Sequence, residues 1–398
     1  MPRSATCCRP RPRLPLATGA ALASLSLLAA ACGPSRSLGA VGSTPSTTAP
    51  PAEILRVGVL DDPTPAGRAV DDAVRLALSQ ATSSRAGIAL DALSEPAGTT
   101  ARRAAAAARR LVAEGVVAVI GPETTAEVDG AEPVLSAAGI PDLVVTATAA
   151  TLPAPGWQGF FRVAADDAQQ GLAVTGEAVE GLGASSVAVL AGRGSAAAAT
   201  AEAAADEVPV DGAVLRTWRQ AVTLDGAPAV AAAAAGLDPG AVICIMSPQL
   251  AEVTVRNLRA DRFEGPVVLA APGSPTAYVD AAVAGGPGTY VASPADDLAS
   301  VAFPDGAPLV LVDAYRAAFG ADPPAWVPEA YDAARFVAQA VTSGASEPAS
   351  ITEYLDTHSF SGVSATIAFA SSGDLLEPPE FISSVASDGV LRQTGSRS

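Results

Sequence analysis

From residue 54 onward, short apolar runs alternate with stretches whose apolar residues recur every three or four positions. The runs 54–60, 88–93, 116–120 and 143–145 are rich in Val, Ile and Leu, which is the pattern of strands buried on both faces. Between the first two, Val70, Ala73, Val74 and Ala77 predict a helix that ends near Gln80. The stretch 99–114 predicts a second helix. Ala104, Ala108, Leu111 and Val112 make one face, and Arg102, Arg103, Arg109 and Arg110 share the other, which reads as an ordinary solvated face. A third helix is predicted near 127–138. Strand and helix in regular alternation imply a parallel sheet.

The same rhythm then starts again. Strands are predicted at 160–164, 187–191, 214–218, 241–246 and 267–270, with helices at 166–181, 196–205, 228–235 and 248–260. Two such runs suggest two similar lobes rather than one large sheet. After a strand at 289–293 the pattern changes to three successive helices, 307–319, 328–343 and 350–357. The tail is β: 365–369, a turn at 371–374, then 381–385 and a short strand near Val390.

The ends of two early strands carry the candidate chemistry. Residues 116–120 stop at Gly121–Pro122, and Glu123, Thr124 and Thr125 follow where a helix begins. A Thr there caps the helix, and the free backbone N–H groups at its start suit an anion such as a carboxylate. The next strand ends in Thr146, Ala147 and Thr148. Two neighbouring parallel strands would thus place Thr-bearing loops on the carboxyl edge of the sheet, where open α/β sheets bind ligands.

Composition narrows the function classes. The chain has 398 residues, 49% hydrophobic and only 16% charged, enough for two domains with real cores. Its formal net charge is -17 and it contains no lysine, so nucleic acid is not an expected partner. Residues 1–31 read as an export signal: Arg3, Arg9, Arg11 and Arg13 precede an apolar run, 14–31, that ends in small residues. Cys32 at the cut resembles the bacterial lipobox, with Ala29 where Leu is usual. The expectation is a lipoprotein held on the outer face of the membrane by lipidated Cys32, with 32–53 as a flexible tether. Loss of the signal leaves 20 Arg against 41 acids, net −21, so the body should touch the membrane only through its lipid. Cys244 remains, in an apolar strand, and reads as an inert core residue.

The order of these features resembles the type I periplasmic binding proteins, in particular the leucine/isoleucine/valine-binding branch. The resemblance is carried by VVAVIGPETT (116–125), AGIPDLVVTATAA (138–150), FFRVAADDAQQG (160–171), PGTYVASP (287–294), PEAYDAARF (328–336) and FSGVSATIAFASSGDL (360–375). It implies an α/β protein of two Rossmann-like lobes joined by three hinge crossings, with 54–164 and 294–359 in the first lobe and 165–293 and 360–398 in the second. It also implies a monomeric, non-enzymatic binding protein without cofactor, which holds a small amino-acid-like, carboxylate or amide solute between its lobes. The solute would be passed to the membrane permease of an ABC importer; a sensing lipoprotein of the same fold without a transporter is the alternative. In the family, a Ser/Thr of the first loop and an Ala–Thr pair of the second hold the ligand carboxylate; here these are Thr125, Ala147 and Thr148, with Thr124 and Thr146 beside them. The other half departs from the pattern. Pro272 stands at the acidic position that receives an ammonium, Ser247 replaces an aromatic, and alanine, near Ala196, replaces a Tyr. Asp61, Asp62 and Asp166 are the candidate substitute carboxylates.

Other chemistries fit less well. Gly192–Arg193–Gly194–Ser195–Ala196–Ala197 matches the dinucleotide pattern G-x-G-x-x-A, but the following acid, Asp211, lies before the next strand rather than at its end. His358 is the sole histidine and no G-x-S-x-G elbow is present, so neither a metal cluster nor a Ser-His-Asp hydrolase is expected. Trp157, Trp218 and Trp326 are expected to pack at lobe surfaces, Trp157 close to the second ligand loop.

Overall fold

The computed structural model describes residues 53–81, 87–153, 156–296, 298 and 307–397. The predicted signal, Cys32 and all of the tether but Glu53 lie outside the described residues.

Strands β1 (Glu53–Asp61), β2 (Ile88–Pro96), β3 (Ala118–Ile120), β4 (Asp142–Val144) and β5 (Phe160–Arg162) form one parallel sheet in the order β2-β1-β3-β4-β5. Between them run α1 (Pro65–Ala81), α2 (Ala101–Ala113) and α3 (Thr125–Ala138). The second sheet repeats this order. Strands β6 (Ser186–Ala191), β7 (Val214–Arg219), β8 (Ala241–Ile245), β9 (Val267–Ala270) and β10 (Thr289–Ser293) run as β7-β6-β8-β9-β10, all parallel. Its helices are α4 (Asp167–Gly176), α5 (Ser195–Val210), α6 (Ala227–Ala235), α7 (Pro248–Ala260) and α8 (Val279–Gly285). The two-lobed α/β architecture expected from the alternating pattern is therefore present, with each lobe doubly wound. In both sheets the order reverses beside the first strand of the lobe, which creates a crevice between two strand ends.

Three late helices return to the first lobe: α9 (Ala307–Phe319), α10 (Val327–Thr342) and α11 (Pro348–Thr357). Phe336, Val337 and Val341 of α10 share one core with Val57, Val74 and Leu143. Trp326, expected at a surface, is buried in that core, where it takes a left-handed conformation just before α10. The segment after α11 also differs from expectation. A two-stranded ribbon, β11 (Phe360–Ser361) with β12 (Thr366–Ile367), precedes Phe369 and Leu375, and Ile367, Phe369 and Leu375 belong to the first core. The Phe369 ring lies 4.7 Å from Phe161 and 6.2 Å from Phe336. The chain thus stays with the first lobe to about Leu375, rather than leaving at 360. It then adds β13 (Glu380–Val385) and β14 (Leu391–Arg397) antiparallel to the second sheet. Apolar alternation over 360–375 suits either core, and only packing against Phe161 and Phe336 decides between them.

Cys244 is fully buried in the second lobe, where burial pushes its thiol up to about 12, consistent with an inert core residue. His358 caps α11 in an exposed position and stacks on Tyr354 at 3.9 Å.

One polar feature of the first core is unusual. Glu132 of α3 and Asp142 at the start of β4 are fully buried, and their four carboxyl oxygens meet no donor among the described residues. Burial raises both carboxyls, Glu132 to about 8, so the native state holds protons here more tightly than the unfolded chain does. The unfolded chain releases the Glu132 proton near 4.5. Native protein therefore binds more protons between these values, and stability should fall as pH rises from about 5 toward 8. Urea unfolding midpoints across that range measure the slope. Glu132→Gln should make it shallower, the rest coming from other raised carboxyls such as Glu127 and Glu380; a slope unchanged in this variant would refute the assignment of a raised Glu132.

Candidate functional site

Each lobe offers a crevice at its switch point, and the two are furnished differently. In the first lobe the loops after β1 and β3 meet. Gly121 closes β3 with φ 98°, and a Cβ there would lie 2.3 Å from the Leu60 carbonyl oxygen, so only glycine permits the approach. Thr124 then caps α3 and Thr125 is its first residue, as predicted. The start of this helix is already served by the protein. Glu127 turns back so that Oε2 accepts from the backbone N–H of Thr124 at 3.0 Å and of Glu123 at 3.2 Å. Glu123 Oε1 accepts from Asp62 N at 2.8 Å, and Asp62 Oδ1 accepts from Gly98 N at 2.7 Å. Burial pushes Glu127 up to about 7 and also raises Glu123. Asp61 is pushed up to about 6, first by burial and then by Asp71.

The second Thr-bearing loop is likewise engaged. Thr146 Oγ1 donates to the Glu123 carbonyl at 2.7 Å. Ala147 is buried with Val128, Val144 and Phe160, and Trp157 packs against Phe160 at 6.0 Å. Thr148 Oγ1 donates to Asp167 Oδ1 at 2.9 Å, while Asp167 N donates to the Thr148 carbonyl at 2.7 Å. Burial raises the Asp167 carboxyl. Thr125 differs from its neighbours: it is partly exposed, and its hydroxyl has no partner among the described residues. Asp166 is committed to the cap of α4, accepting from Gln169 N at 2.7 Å, and to Arg162 at 3.3 Å.

Arg162 lies fully buried at the end of β5, where the chain leaves the first lobe. Its Nε and Nη2 donate to Asp374 Oδ1 at 2.9 and 2.5 Å. Nη1 donates to the Ala149 carbonyl at 2.8 Å, and Nη2 also reaches the Leu152 carbonyl at 3.2 Å. One guanidinium thus ties the loop after β4, the first crossing and the 372–374 turn.

In the second lobe the equivalent crevice is an open pocket of about 430 Å3. It lies between the loop after β6, which runs from Gly192 into α5, and the loop after β8, which runs through Ser247 into α7. Ser247, Ala196 and Pro272, singled out from the sequence, do come together here, but none of the first-lobe threonines lines this pocket. Its apolar wall is Ile245, Met246 and Tyr278, whose phenol donates to the Met246 carbonyl at 2.7 Å. Its polar residues include Gln170 and Thr200, each only 2% exposed. Gln170 Nε2 donates to the Ala271 carbonyl at 3.1 Å and to Glu380 Oε1 at 3.0 Å, which turns its amide oxygen to another side. Burial pushes Glu380 up to about 8.

Gln170, Thr200 and Tyr278 are not singled out by the sequence pattern. The one signal that could have found any of them is at Thr200, a polar residue one turn beyond Ala196 in an alanine helix. Tyr278 arrives through a short turn, Pro275–Tyr278, that carries no periodic pattern. Asp211 sits at the far end of α5, so the G-x-G-x-x-A loop has no acid positioned for a ribose. Among the described residues, no group of three His, Cys, Asp or Glu is arranged to hold a metal.

Comparison with known proteins agrees with this architecture. A family model described as periplasmic binding protein matches residues 55–389. A search of curated proteins gave no match. Among solved structures, an ABC transporter substrate-binding protein from Sphaerobacter thermophilus is 20% identical, with TM-score 0.73, covering 86% of this chain and 97% of its own. One from Desulfitobacterium hafniense, in complex with Leu, is 17% identical with TM-score 0.70, covering 86% of this chain and 100% of its own. A solute binding protein of an ABC transporter from Rhodopseudomonas palustris BisB5, in complex with 3,4-dihydroxy benzoic acid, is 18% identical with TM-score 0.66, covering 86% and 97%.

Arg162→Met should destabilise the protein by about 3–5 kcal/mol, because Asp374 would stay partly buried without its counter-charge. Chemical denaturation at pH 7 measures this, and a loss below about 1 kcal/mol would show that the cluster is not a structural tie.

Proposed function

Because the chain belongs to the periplasmic binding protein family, whose members bind solutes outside the cytoplasm rather than catalyse reactions, we propose that it is the solute receptor of an ABC-type importer. The solute is a small carboxylate, amide or amino-acid-like molecule, taken between the lobes. The observation that carries this reading is the open pocket at the switch point of the second sheet, of a volume usual for small-molecule sites. The solute would meet Ser247 in that pocket and, on closure, the first-lobe wall of Thr125, Ala147 and Thr148, with exposed Thr124 and half-buried Thr146 beside them, Thr146 tied to the Glu123 carbonyl. Closure would bend the chain at three crossings, near 164–166, 293–295 and 375–380, and present the closed form to a permease.

The solved neighbours support the breadth of this class, since the same fold holds leucine in one and a dihydroxybenzoic acid in another. For the present chain, Pro272 and the pocket around it offer no carboxylate to an ammonium among the described residues. An unpaired ammonium in a closed cleft is costly, so leucine should bind less tightly than an organic acid or amide of similar size. A thermal-shift screen over amino acids, amides and organic acids, followed by small-angle scattering on the hits, tests the proposal. The expected result is a hit that raises Tm and makes the particle more compact. Submicromolar leucine binding would contradict the assigned class, and a tight ligand without compaction would contradict closure.

We further propose that Cys32 is acylated and that 32–53 tethers the lobes to the membrane. Cys32→Ala should move the protein to the soluble fraction after cell lysis; membrane retention of that variant would refute the anchor.

A further inference from the structure

The two switch-point crevices are built to one plan, and the difference between them bears on what the open one receives. In the first lobe the third residue of α3 is Glu127, whose carboxylate accepts from the backbone at the helix start. In the second lobe the third residue of α5 is Ala197. Helix α5 starts at Gly194, held at φ 123°, with no side-chain cap and no acid in its first turn. Helix α7 starts at Ser247 in the same state, again without a side-chain cap or a first-turn acid. Both helices are long enough for their N-terminal ends to favour negative charge, and both ends open into the one pocket. Arg193, the charged side chain on the pocket wall, makes no ion pair among the described residues.

A second observation is independent of the helix ends. Thr200 lines the pocket, is 2% exposed, and its hydroxyl has no hydrogen-bond partner among the described residues. The hydroxyl is not sealed from solvent, so it is a donor open to the pocket and available to an acceptor on a ligand. Beside it, Ile245, Met246 and Tyr278 form an apolar wall that bare inorganic anions would leave unused.

We propose that the second lobe seats the carboxylate of a small organic acid at the N-terminal ends of α5 and α7, with Thr200 and Arg193 as further donors and the acid's apolar body against Ile245, Met246 and Tyr278. The ligand's carboxylate then faces away from the first lobe, where Glu123, Glu127 and Asp167 already hold the donors at the strand ends. This reverses the orientation expected from the first-lobe threonines. It rests on the reading that the cleft binds a solute, and goes further in assigning ligand charge and polarity.

The test is calorimetry with benzoate, phenylacetate and isocaproate, their matched amides, leucine and inorganic phosphate. At least one acid should bind, with its amide at least tenfold weaker and phosphate weaker still. Ala197→Glu would give α5 the carboxylate that α3 has. It should raise the Tm of the unliganded protein, since an acid suits a helix start, and weaken the acid at least tenfold. Thr200→Val, which keeps shape and removes the hydroxyl, should weaken it about three- to tenfold. Thr125→Ala and Thr148→Ala should each cost less than Thr200→Val. An amide that binds as well as its acid, a larger effect from Thr125→Ala than from Ala197→Glu, tighter binding of phosphate than of every acid, or failure of all the acids would each overturn the inference. If only an amide or an amino acid binds and compacts the particle, cleft binding stands and the carboxylate seat does not. If no compound compacts the particle, both fail.

Discussion

Arg162 brings a full positive charge into an interior that would otherwise reject it, and the groups that keep it there come from separate pieces of chain. Asp374 lies in a turn more than two hundred residues away, Asp166 opens the next lobe, and Ala149 and Leu152 contribute carbonyls from the loop after β4. A charge so placed tolerates little displacement, because each lost partner leaves a desolvation cost of several kcal/mol uncompensated. The first crossing therefore leaves the lobe from a fixed point. Bending has to occur beyond it, in a chain that soon enters α4 at a well-made cap, where Asp166 and Gln169 satisfy each other's backbone N–H groups.

The two lobes show how one topology can carry opposite electrostatics. Both sheets use the same strand order, and both open a crevice beside their first strand. In the first lobe that crevice is closed by protein carboxylates hydrogen-bonded to backbone N–H groups, partly buried and held above their ordinary protonation range. In the second lobe the same location carries no carboxylate among the described residues: Gly194, Ala196, Ala197, Pro248 and Pro272 line it beside apolar side chains, with Arg193, Ser195, Thr200 and Ser247 among its polar groups. The substitutions that separate these outcomes are small in sequence: a glutamate at the third position of one helix, an alanine at the third position of the other.

This bears on what the sequence could disclose. Strand and helix order was legible because Val- and Ile-rich runs and three-to-four periodicity report burial directly, and the repeat of the pattern disclosed two lobes. The threonines at the ends of β3 and β4 were legible as residues near a sheet edge. Their hydrogen bonds were not, since Thr148 meets Asp167 and Thr146 meets Glu123 only once the strands are aligned. Membership of residues 360–375 in the first core could not be read for a related reason. Apolar alternation says that a face is buried and is silent about which lobe buries it. Thr200 and Tyr278 were hidden by alanine bias and by a short irregular turn, two settings in which periodicity carries little information.

The late return of the chain to its first lobe has a consequence for the order of folding. Val70, Ala73, Val74 and Ala77 of α1 belong to the same core as Phe336, Val337 and Val341 of α10, and Phe369 and Leu375 complete it later still. A nascent chain that has emerged through residue 300 can assemble much of the second sheet, whose five parallel strands are contiguous in sequence. The lobe begun first still shows bare apolar surface along α1 at that stage. The N-terminal lobe is thus finished last, by long-range contacts that form slowly. A chain organised in this way stays incompletely folded until nearly all of it is present, and any machinery that must thread it as an extended polymer meets a substrate whose own topology delays compaction.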